Sequence, residues 1–145
     1  MEPKTVDILL VEDNASDAEL IQISLEEQQL FPILSIVRDG EKALDYVFGR
    51  KEFSDRQGEE NPKLILLDLK LPKINGIEVL HSIKSSPETR SIPVVILTSS
   101  AHSKDIEECY RLGANSYIVK PIGFDEFSKI ITHTVNYWLK INYPI

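Results

Sequence analysis

The sequence of 145 residues is poor in the features that mark several classes of protein. Its one cysteine, Cys109, cannot form an internal disulfide, and the setting DIEECYRLGA is typical of a helix face rather than of a metal site. The first apolar run, residues 8–11, is far shorter than a signal-peptide core or a membrane span. We therefore expect a cytoplasmic protein that does not associate with a membrane.

Positive charge is also scarce. Lys and Arg number 16 against 23 Asp and Glu, which gives a formal net charge of -7. A protein with this balance does not attract nucleic acid through a general basic field. We expect no nucleic-acid partner.

Short apolar runs rich in branched residues alternate with helical patterns along the whole chain. Five runs predict strands, at residues 6–11, 32–37, 63–68, 93–98 and 116–120. Five amphipathic segments between and after them predict helices, at residues 16–28, 40–49, 76–86, 104–114 and 124–140. Continuously apolar strands joined by helices are typical of a parallel sheet covered on both faces. The pattern predicts a single α/β doubly wound domain over residues 1–145, with Asn14 and Gly113 at helix ends.

Two segments do not belong to this alternation. Residues 49–62 are polar and charged and predict an exposed loop, which we interpret as a tolerated insertion in preference to a functional one. At the other end, residues 140–145 form a short apolar tail containing Ile141, Tyr143 and Ile145. Uncovered apolar side chains on a small domain indicate a contact with a partner or with a second copy of the chain.

The last helix carries a stripe of large apolar residues at helical spacing. Such a stripe is first of all a face directed at the core. Its members are Phe124, Phe127, Ile131, Val135 and Trp138.

Polar residues stand where the predicted strands end, and parallel strands bring their carboxyl ends to one edge of the sheet. These residues are Glu12, Asp13, Asp68, Thr98 and Lys120. Converging carboxylates either hold a proton or recruit a cation, and oxygen ligands with few protein donors favour Mg²⁺. The set indicates a phosphoryl-transfer site with Asp68 as nucleophile and with Lys120 and Thr98 binding phosphoryl oxygens.

Four motifs in order along the chain carry a family resemblance: LLVEDN, LLDLKLPKINGIEVL, VVILTSS and GANSYIVKPI. Through them the chain resembles the receiver domains of bacterial two-component response regulators. The resemblance implies a flavodoxin-like sheet of five parallel strands in the order 2-1-3-4-5, flanked by five helices. The long loop before the third strand and the opening ILLVEDNASDAELI are most similar to single-domain regulators of phytochrome-type histidine kinases.

The resemblance also implies roles for the residues that match the family motif. It makes Asp68 the phosphoacceptor and makes Glu12 and Asp13 the acidic pair. Mg²⁺ would be held by Asp13, by Asp68 and by the backbone carbonyl of Lys70, with Glu12 acting through water. Lys70 lies close enough to the acceptor to alter the lifetime of the phosphorylated state, in a direction that the sequence does not give.

Signal transmission is implied to involve the two remaining strand ends. Thr98 would be the switch hydroxyl, Lys120 the lysine that pairs with the phosphate, and Tyr117 an aromatic rotamer switch. A packed, half-buried tyrosine is an equally good interpretation of Tyr117 from the residue alone. The resemblance further implies a cis peptide bond between Lys120 and Pro121.

These features predict a phosphoacceptor that receives a phosphoryl group from a histidine kinase and signals through protein contact or a phosphorelay. No output domain is expected to follow, which is why we expect the output to be protein contact or onward phosphotransfer. Because there is also no cap domain, we do not expect turnover of outside substrates. One alternative is a phosphatase or phosphotransferase of the haloacid-dehalogenase type, but its motif needs a second aspartate where Lys70 stands. The other is a flavodoxin-like cofactor carrier, but the turn VEDNASDAE lacks a glycine-rich phosphate loop.

Overall fold

A computed structural model describes residues 6–145, so the first five residues of the predicted domain lie outside it. The strands are β1 (Ile8–Val11), β2 (Leu34–Val37), β3 (Leu64–Leu67), β4 (Val94–Thr98) and β5 (Ser116–Val119). The helices are α1 (Ala15–Glu27), α2 (Gly40–Phe48), α3 (Gly76–Ser85), α4 (Ser103–Arg111) and α5 (Phe124–Asn136). A 3-10 helix (Lys51–Arg56) and a π-helical turn (Tyr137–Ile141) complete the described elements.

The five strands form one parallel sheet in the order β2-β1-β3-β4-β5. The predicted fold class and strand order are therefore confirmed. The sequence places each strand end to within two residues of its observed position. No helix within residues 6–145 has the length and apolar content needed to cross a bilayer.

Each central strand contributes to two separate apolar clusters, because neighbouring strand residues point to opposite faces. In β1, Leu9 and Val11 pack in the cluster under α2, α3 and α4, while Ile8 and Leu10 pack in the cluster under α1 and α5. All four residues of β3 are buried as well. Burial on both faces explains why the strands are continuously apolar in sequence.

Side-chain caps set the start of three helices. The side chains of Asn14, Asp39 and Asn75 each accept a hydrogen bond from a backbone N–H in the first turn of α1, α2 and α3, respectively. After α4 the chain leaves the helix at Gly113, whose φ of 104° suits glycine. The predicted helix ends at Asn14 and Gly113 are both observed.

The segment 49–62 is more ordered than the predicted loop. Its 3-10 helix packs on α2 through Phe53, whose ring meets that of Tyr46 edge to face at 5.1 Å between centroids. The Arg56 guanidinium lies 3.8 Å from the centroid of the same tyrosine ring and donates to its carbonyl. The segment is thus a polar connection docked on α2.

The apolar stripe of α5 is observed only in part. Phe127, Ile131 and Val135 are buried in the cluster shared with α1. Phe124 is 52% exposed, so its prediction as a core residue is wrong. Phe124 is the first residue of α5, and the burial of this helix face begins one turn later, at Phe127.

Candidate functional site

The carboxyl ends of β1, β3 and β5 bring one lysine and several acids together. The Lys120 ammonium donates to Glu12 Oε1 at 2.6 Å, to Asp17 Oδ2 at 2.8 Å and to Asp68 Oδ2 at 2.9 Å. Glu12 follows β1, Asp68 follows β3, and Lys120 follows β5. We call these four residues the lysine cluster.

Backbone hydrogen bonds fix the members of the lysine cluster at the sheet edge. The Asp68 N–H donates to the Val11 carbonyl at 3.1 Å, which continues the β1–β3 pairing by one residue. The Lys120 N–H donates to the Thr98 carbonyl at 2.7 Å in the same way between β5 and β4. The ladder therefore fixes where the Asp68 and Lys120 side chains leave the backbone, and their mutual hydrogen bond orients them.

The turn that follows Asp68 depends on a glycine at position 76. A Cβ atom added at Gly76 would lie 2.3 Å from the Asp68 carbonyl oxygen, closer than such atoms approach. The Gly76 N–H also donates to the Leu69 carbonyl at 2.9 Å. Only glycine lets α3 begin this close to the end of β3, so Gly76 positions the loop that carries Asp68 and Lys70.

Burial and charge separate the two inner carboxylates of the lysine cluster. Desolvation raises the pKa of Glu12, which is 1% exposed, to about 7 despite the hydrogen bond from Lys120. Burial also acts to raise the pKa of Asp68, but the hydrogen bond and charge of Lys120, together with hydrogen bonds from Glu12 and the Lys70 N–H, hold that pKa below its ordinary value. Asp68 is therefore the ionised carboxylate at neutral pH, and Glu12 is the one that takes up a proton first.

The pKa of Lys120 is raised above its ordinary value. Its burial acts to lower the pKa, but hydrogen bonds to Asp17, Glu12 and Asp68 dominate. The ammonium therefore stays charged across the physiological range. A fixed cation beside an ionised carboxylate is suited to binding an anionic group at Asp68.

The predicted metal donors Asp13 and Lys70 flank the lysine cluster. Asp13 is exposed and has no side-chain hydrogen bond or ion pair among residues 6–145. Lys70 is exposed, and its N–H donates to Asp68 Oδ1 at 3.3 Å. The described residues hold no group of three or more His, Cys, Asp or Glu arranged as a metal cage. Two carboxylates and a backbone carbonyl nevertheless suit Mg²⁺, which keeps several of its waters.

A chain of hydrogen bonds connects Thr98 with Tyr117 through Ser100. The buried Thr98 hydroxyl oxygen accepts from the Ser100 N–H at 3.4 Å, and the Tyr117 hydroxyl donates to the Ser100 carbonyl at 2.9 Å. Ser100 Oγ donates to Asp105 Oδ2 in the first turn of α4 at 2.6 Å. The end of β4, the start of α4 and the ring of Tyr117 are thus joined in one network.

Sequence reasoning missed Asp17 and Ser100, and it was wrong about one peptide bond. Asp17 lies in the first turn of α1, where an acid is common at the positive end of the helix dipole. The only available signal was its place in the first turn of a helix that begins directly after Glu12 and Asp13, at the carboxyl edge of the sheet. The structure contains no cis peptide bond within residues 6–145, so the Lys120–Pro121 bond is trans and the prediction of a cis bond is wrong.

Comparison with known proteins gives consistent matches over nearly the whole chain. A family model described as the response regulator receiver domain matches residues 8–132. The probable methanogenesis regulatory protein FilR2 of Methanothrix harundinacea is 40% identical over 135 residues, covering 93% of this chain and 84% of FilR2. Response regulator Rcp1 of Synechocystis is 38% identical over 133 residues, covering 92% of this chain and 88% of Rcp1.

Solved structures superpose closely on the fold described above. The phosphorylated cyanobacterial phytochrome response regulator RcpA has a TM-score of 0.89 and 38% identity, with 97% of this chain and 99% of RcpA covered. The Mn²⁺-bound form of response regulator Rcp1 has a TM-score of 0.88 and 36% identity, with 99% of both chains covered.

Proposed function

The chain belongs to the response-regulator receiver family, the phosphoacceptors of two-component signalling, and we propose that Asp68 is the residue on which it accepts the phosphoryl group. The observation that carries this assignment is the hydrogen bond of 2.9 Å between the Lys120 ammonium and Asp68 Oδ2. It holds an ionised carboxylate at the end of a buried strand, next to a fixed positive charge. That pair suits nucleophilic attack on phosphorus followed by neutralisation of the product.

The transfer follows from the protonation states of the lysine cluster. An Asp68 oxygen attacks the phosphorus of a phosphorylated donor, and the bond from phosphorus to the donor breaks with its electron pair leaving on the donor. Asp68 needs no general base, because Lys120 keeps its pKa low. The ammonium then donates to the new phosphoryl oxygens, where an additional negative charge has arrived.

The divalent ion of the site is proposed to be Mg²⁺. It would be held by Asp13, Asp68 and the Lys70 carbonyl, with Glu12 acting through water. When bound, it supplies charge neutralisation for the phosphoryl oxygens. Support comes from the oxygen-only donor set and from the similarity to Rcp1, which has been solved in a Mn²⁺-bound form.

Phosphorylation is proposed to be transmitted through the Thr98–Ser100–Tyr117 network. The phosphoryl group adds up to about -2 of charge and new acceptor oxygens, which attract the Thr98 hydroxyl. Thr98 is buried, so its movement disturbs the Ser100 N–H that it accepts from. The Tyr117 ring and the start of α4 follow, since both are bonded to Ser100.

The proposed phosphodonor is a sensor histidine kinase of the phytochrome type. Support comes from RcpA, which is described as a phytochrome response regulator and is 38% identical to this chain. Turnover of outside substrates is not proposed, because Lys70 stands where a phosphatase of the haloacid-dehalogenase type needs an acid/base aspartate. We expect action inside the cytoplasm, where such kinases present their phosphohistidine.

Self-association is proposed for the face of β4 and β5 together with the tail that follows Trp138. Ile141, Tyr143 and Ile145 are 60%, 95% and 110% exposed. Three exposed apolar side chains within five residues suit burial against a second copy of the chain.

The assignment of Asp68 is tested with a small phosphodonor. Acetyl phosphate and Mg²⁺ are added to the wild type, to Asp68→Asn and to Asp45→Asn, and the intact mass is followed with time. Asp45 is a matched control, because it is a buried aspartate on α2 outside the lysine cluster. We expect a phosphoryl mass on the wild type and on Asp45→Asn and none on Asp68→Asn. Equal phosphorylation of Asp68→Asn, without a substitute site, would overturn the proposal.

A further inference from the structure

We infer that Asp17 is a built-in competitor of the phosphoryl group for the Lys120 ammonium, and that it thereby limits the affinity of the site for that group. The inference rests on the function proposed above and concerns a residue outside the motif that carries it. Asp17 is a positioning residue in this account, because it acts on the phosphoryl group only through Lys120.

The first step concerns the number of donors on the ammonium. A lysine ammonium has three N–H donors. All three are engaged in the structure, with Glu12, Asp17 and Asp68. A phosphoryl group on Asp68 brings new acceptor oxygens, and Lys120 has no spare donor for them. One of the three existing hydrogen bonds must therefore open when the phosphoryl group is bound.

The second step identifies the bond that opens. The Glu12 side chain is 1% exposed and also accepts from the Asn14 N–H through its other oxygen, so it is held on both sides. Acylation removes the charge of the Asp68 carboxylate, so the N–H that meets Asp68 Oδ2 passes to one phosphoryl oxygen, and a second phosphoryl oxygen gains a donor only when Glu12 or Asp17 is released. The Asp17 side chain is 28% exposed and loses least when released, because water replaces the lysine as its partner. Asp17 is the carboxylate that gives way.

The third step gives the sign of the effect. Removing the Asp17 carboxylate frees a donor on Lys120, which favours the phosphoryl group. It also removes a negative charge close to a group that carries about -2, which favours that group again. Both contributions act in the same direction. If Asp17 instead served only to hold Lys120 in place, its removal would weaken the binding of the phosphoryl group.

The test measures equilibrium binding of beryllofluoride, a phosphoryl analogue, at saturating Mg²⁺. Amide NMR follows the titration of the wild type, Asp17→Asn, Asp17→Ala and Glu19→Gln. Glu19 is the matched control, because it is an exposed acid on α1 outside the lysine cluster. We expect both Asp17 variants to bind about threefold to fivefold more tightly than the wild type, the size that a part-exposed ion pair supports. Glu19→Gln should bind as the wild type does.

A second measurement needs neither metal nor analogue. In the Mg²⁺-free protein, the ¹⁵N resonance of the Lys120 ammonium should change in Asp17→Ala and stay in place in Glu19→Gln. Unchanged or weaker beryllofluoride binding by both Asp17 variants would overturn the inference. A wild type that binds no beryllofluoride at Asp68 would instead overturn the proposed function, so the two failures are distinguishable.

Discussion

Two partly buried lysines lie at opposite edges of the same sheet and differ in the charge of their partners. Lys120, at the carboxyl edge, donates to three carboxylates. Lys84, at the end of α3 near the amino edge, donates to the carbonyls of Arg90 and Ile92 and to Asn115 Oδ1, at 3.0, 2.7 and 2.9 Å. Burial lowers the pKa of Lys84, whereas the carboxylates raise that of Lys120.

The charge of the partners distinguishes a partly buried lysine that stabilises the fold from one that lies in the proposed site. The partners of Lys84 are neutral and fixed, and through them the lysine joins α3 to the segments that precede β4 and β5. The partners of Lys120 are anions, with which the proposed phosphoryl group would compete for the ammonium. The hydrogen bonds of Lys84 to neutral acceptors stabilise the fold. The three carboxylates around Lys120 form the proposed phosphorylation site.

Replacing each lysine by methionine should separate the two roles and should have the largest effects on phosphorylation and on stability. Lys120→Met should slow phosphorylation by acetyl phosphate about tenfold or more, because a charge-assisted hydrogen bond to the phosphoryl group is lost. Lys84→Met should leave that rate unchanged and lower the free energy of unfolding by about 1–3 kcal/mol, because partly buried carbonyls lose their donor. Mass spectrometry and urea unfolding measure the two quantities. Equal effects of both substitutions on phosphorylation would break the comparison.

Substitutions of Thr98 and Tyr117 test how phosphorylation at the carboxyl edge of the sheet changes the structure of α4. Thr98→Ala should leave Asp68 phosphorylatable while reducing the response of α4, because the hydroxyl that follows the phosphoryl group is gone. Tyr117→Phe should have a smaller effect, since it removes only the hydrogen bond to the Ser100 carbonyl. Amide NMR of α4 with and without beryllofluoride measures the response. A response of wild-type size in both variants would show that the signal leaves by another route.

Because of Glu12, the free energy of unfolding should depend on pH. Its pKa is raised from 4.5 to about 7 in the metal-free fold, so the folded state binds the proton more tightly than the unfolded state does. Its contribution to stability is therefore fully present below pH 4.5 and is lost as the pH rises through about 7. Urea unfolding without metal should show this fall in the wild type, and Glu12→Gln should flatten it. The same slope in Glu12→Gln would assign it to another group.

Mg²⁺ should reverse the protonation of Glu12, because a nearby cation favours the charged carboxylate. Binding of Mg²⁺ near pH 7 should thus release a proton, which calorimetry in two buffers of different ionisation enthalpy detects. The release should be absent in Glu12→Gln.

Much of the fold and part of the candidate site follow from the sequence for physical reasons. Continuously apolar runs predict the buried strands. Because these strands are parallel, the residues that follow them, Glu12, Asp68 and Lys120, lie at one edge of the sheet. The third partner of Lys120 does not follow in this way, because the approach of Asp17 depends on how α1 crosses the sheet. The structural role of Lys84 could not be predicted from the sequence, because two of its acceptors are backbone carbonyls, which no pattern of side chains indicates.

Removal of the tail, residues 141–145, should have the smallest effect, and it should not change phosphorylation at the carboxyl edge of the sheet. Tyr143 and Ile145 line a cavity of about 620 Å³ together with Ile92 and Asn115, beside the amino edge of the sheet. A chain truncated after Lys140 should self-associate less than the full chain in sedimentation, while its phosphorylation rate stays the same. Monomers in both cases, with and without phosphorylation, would remove the tail as a contact.

Phosphorylation at the proposed site converts the Asp68 carboxylate beside Lys120 into an acyl phosphate. Borohydride reduces an acyl phosphate of aspartate to homoserine, which marks the acceptor covalently. The wild type is therefore phosphorylated with acetyl phosphate and Mg²⁺, reduced, digested and mapped by mass spectrometry. We expect homoserine at position 68 and aspartate retained at Asp13 and Asp17. Homoserine at another position, with Asp68 intact, would contradict the account.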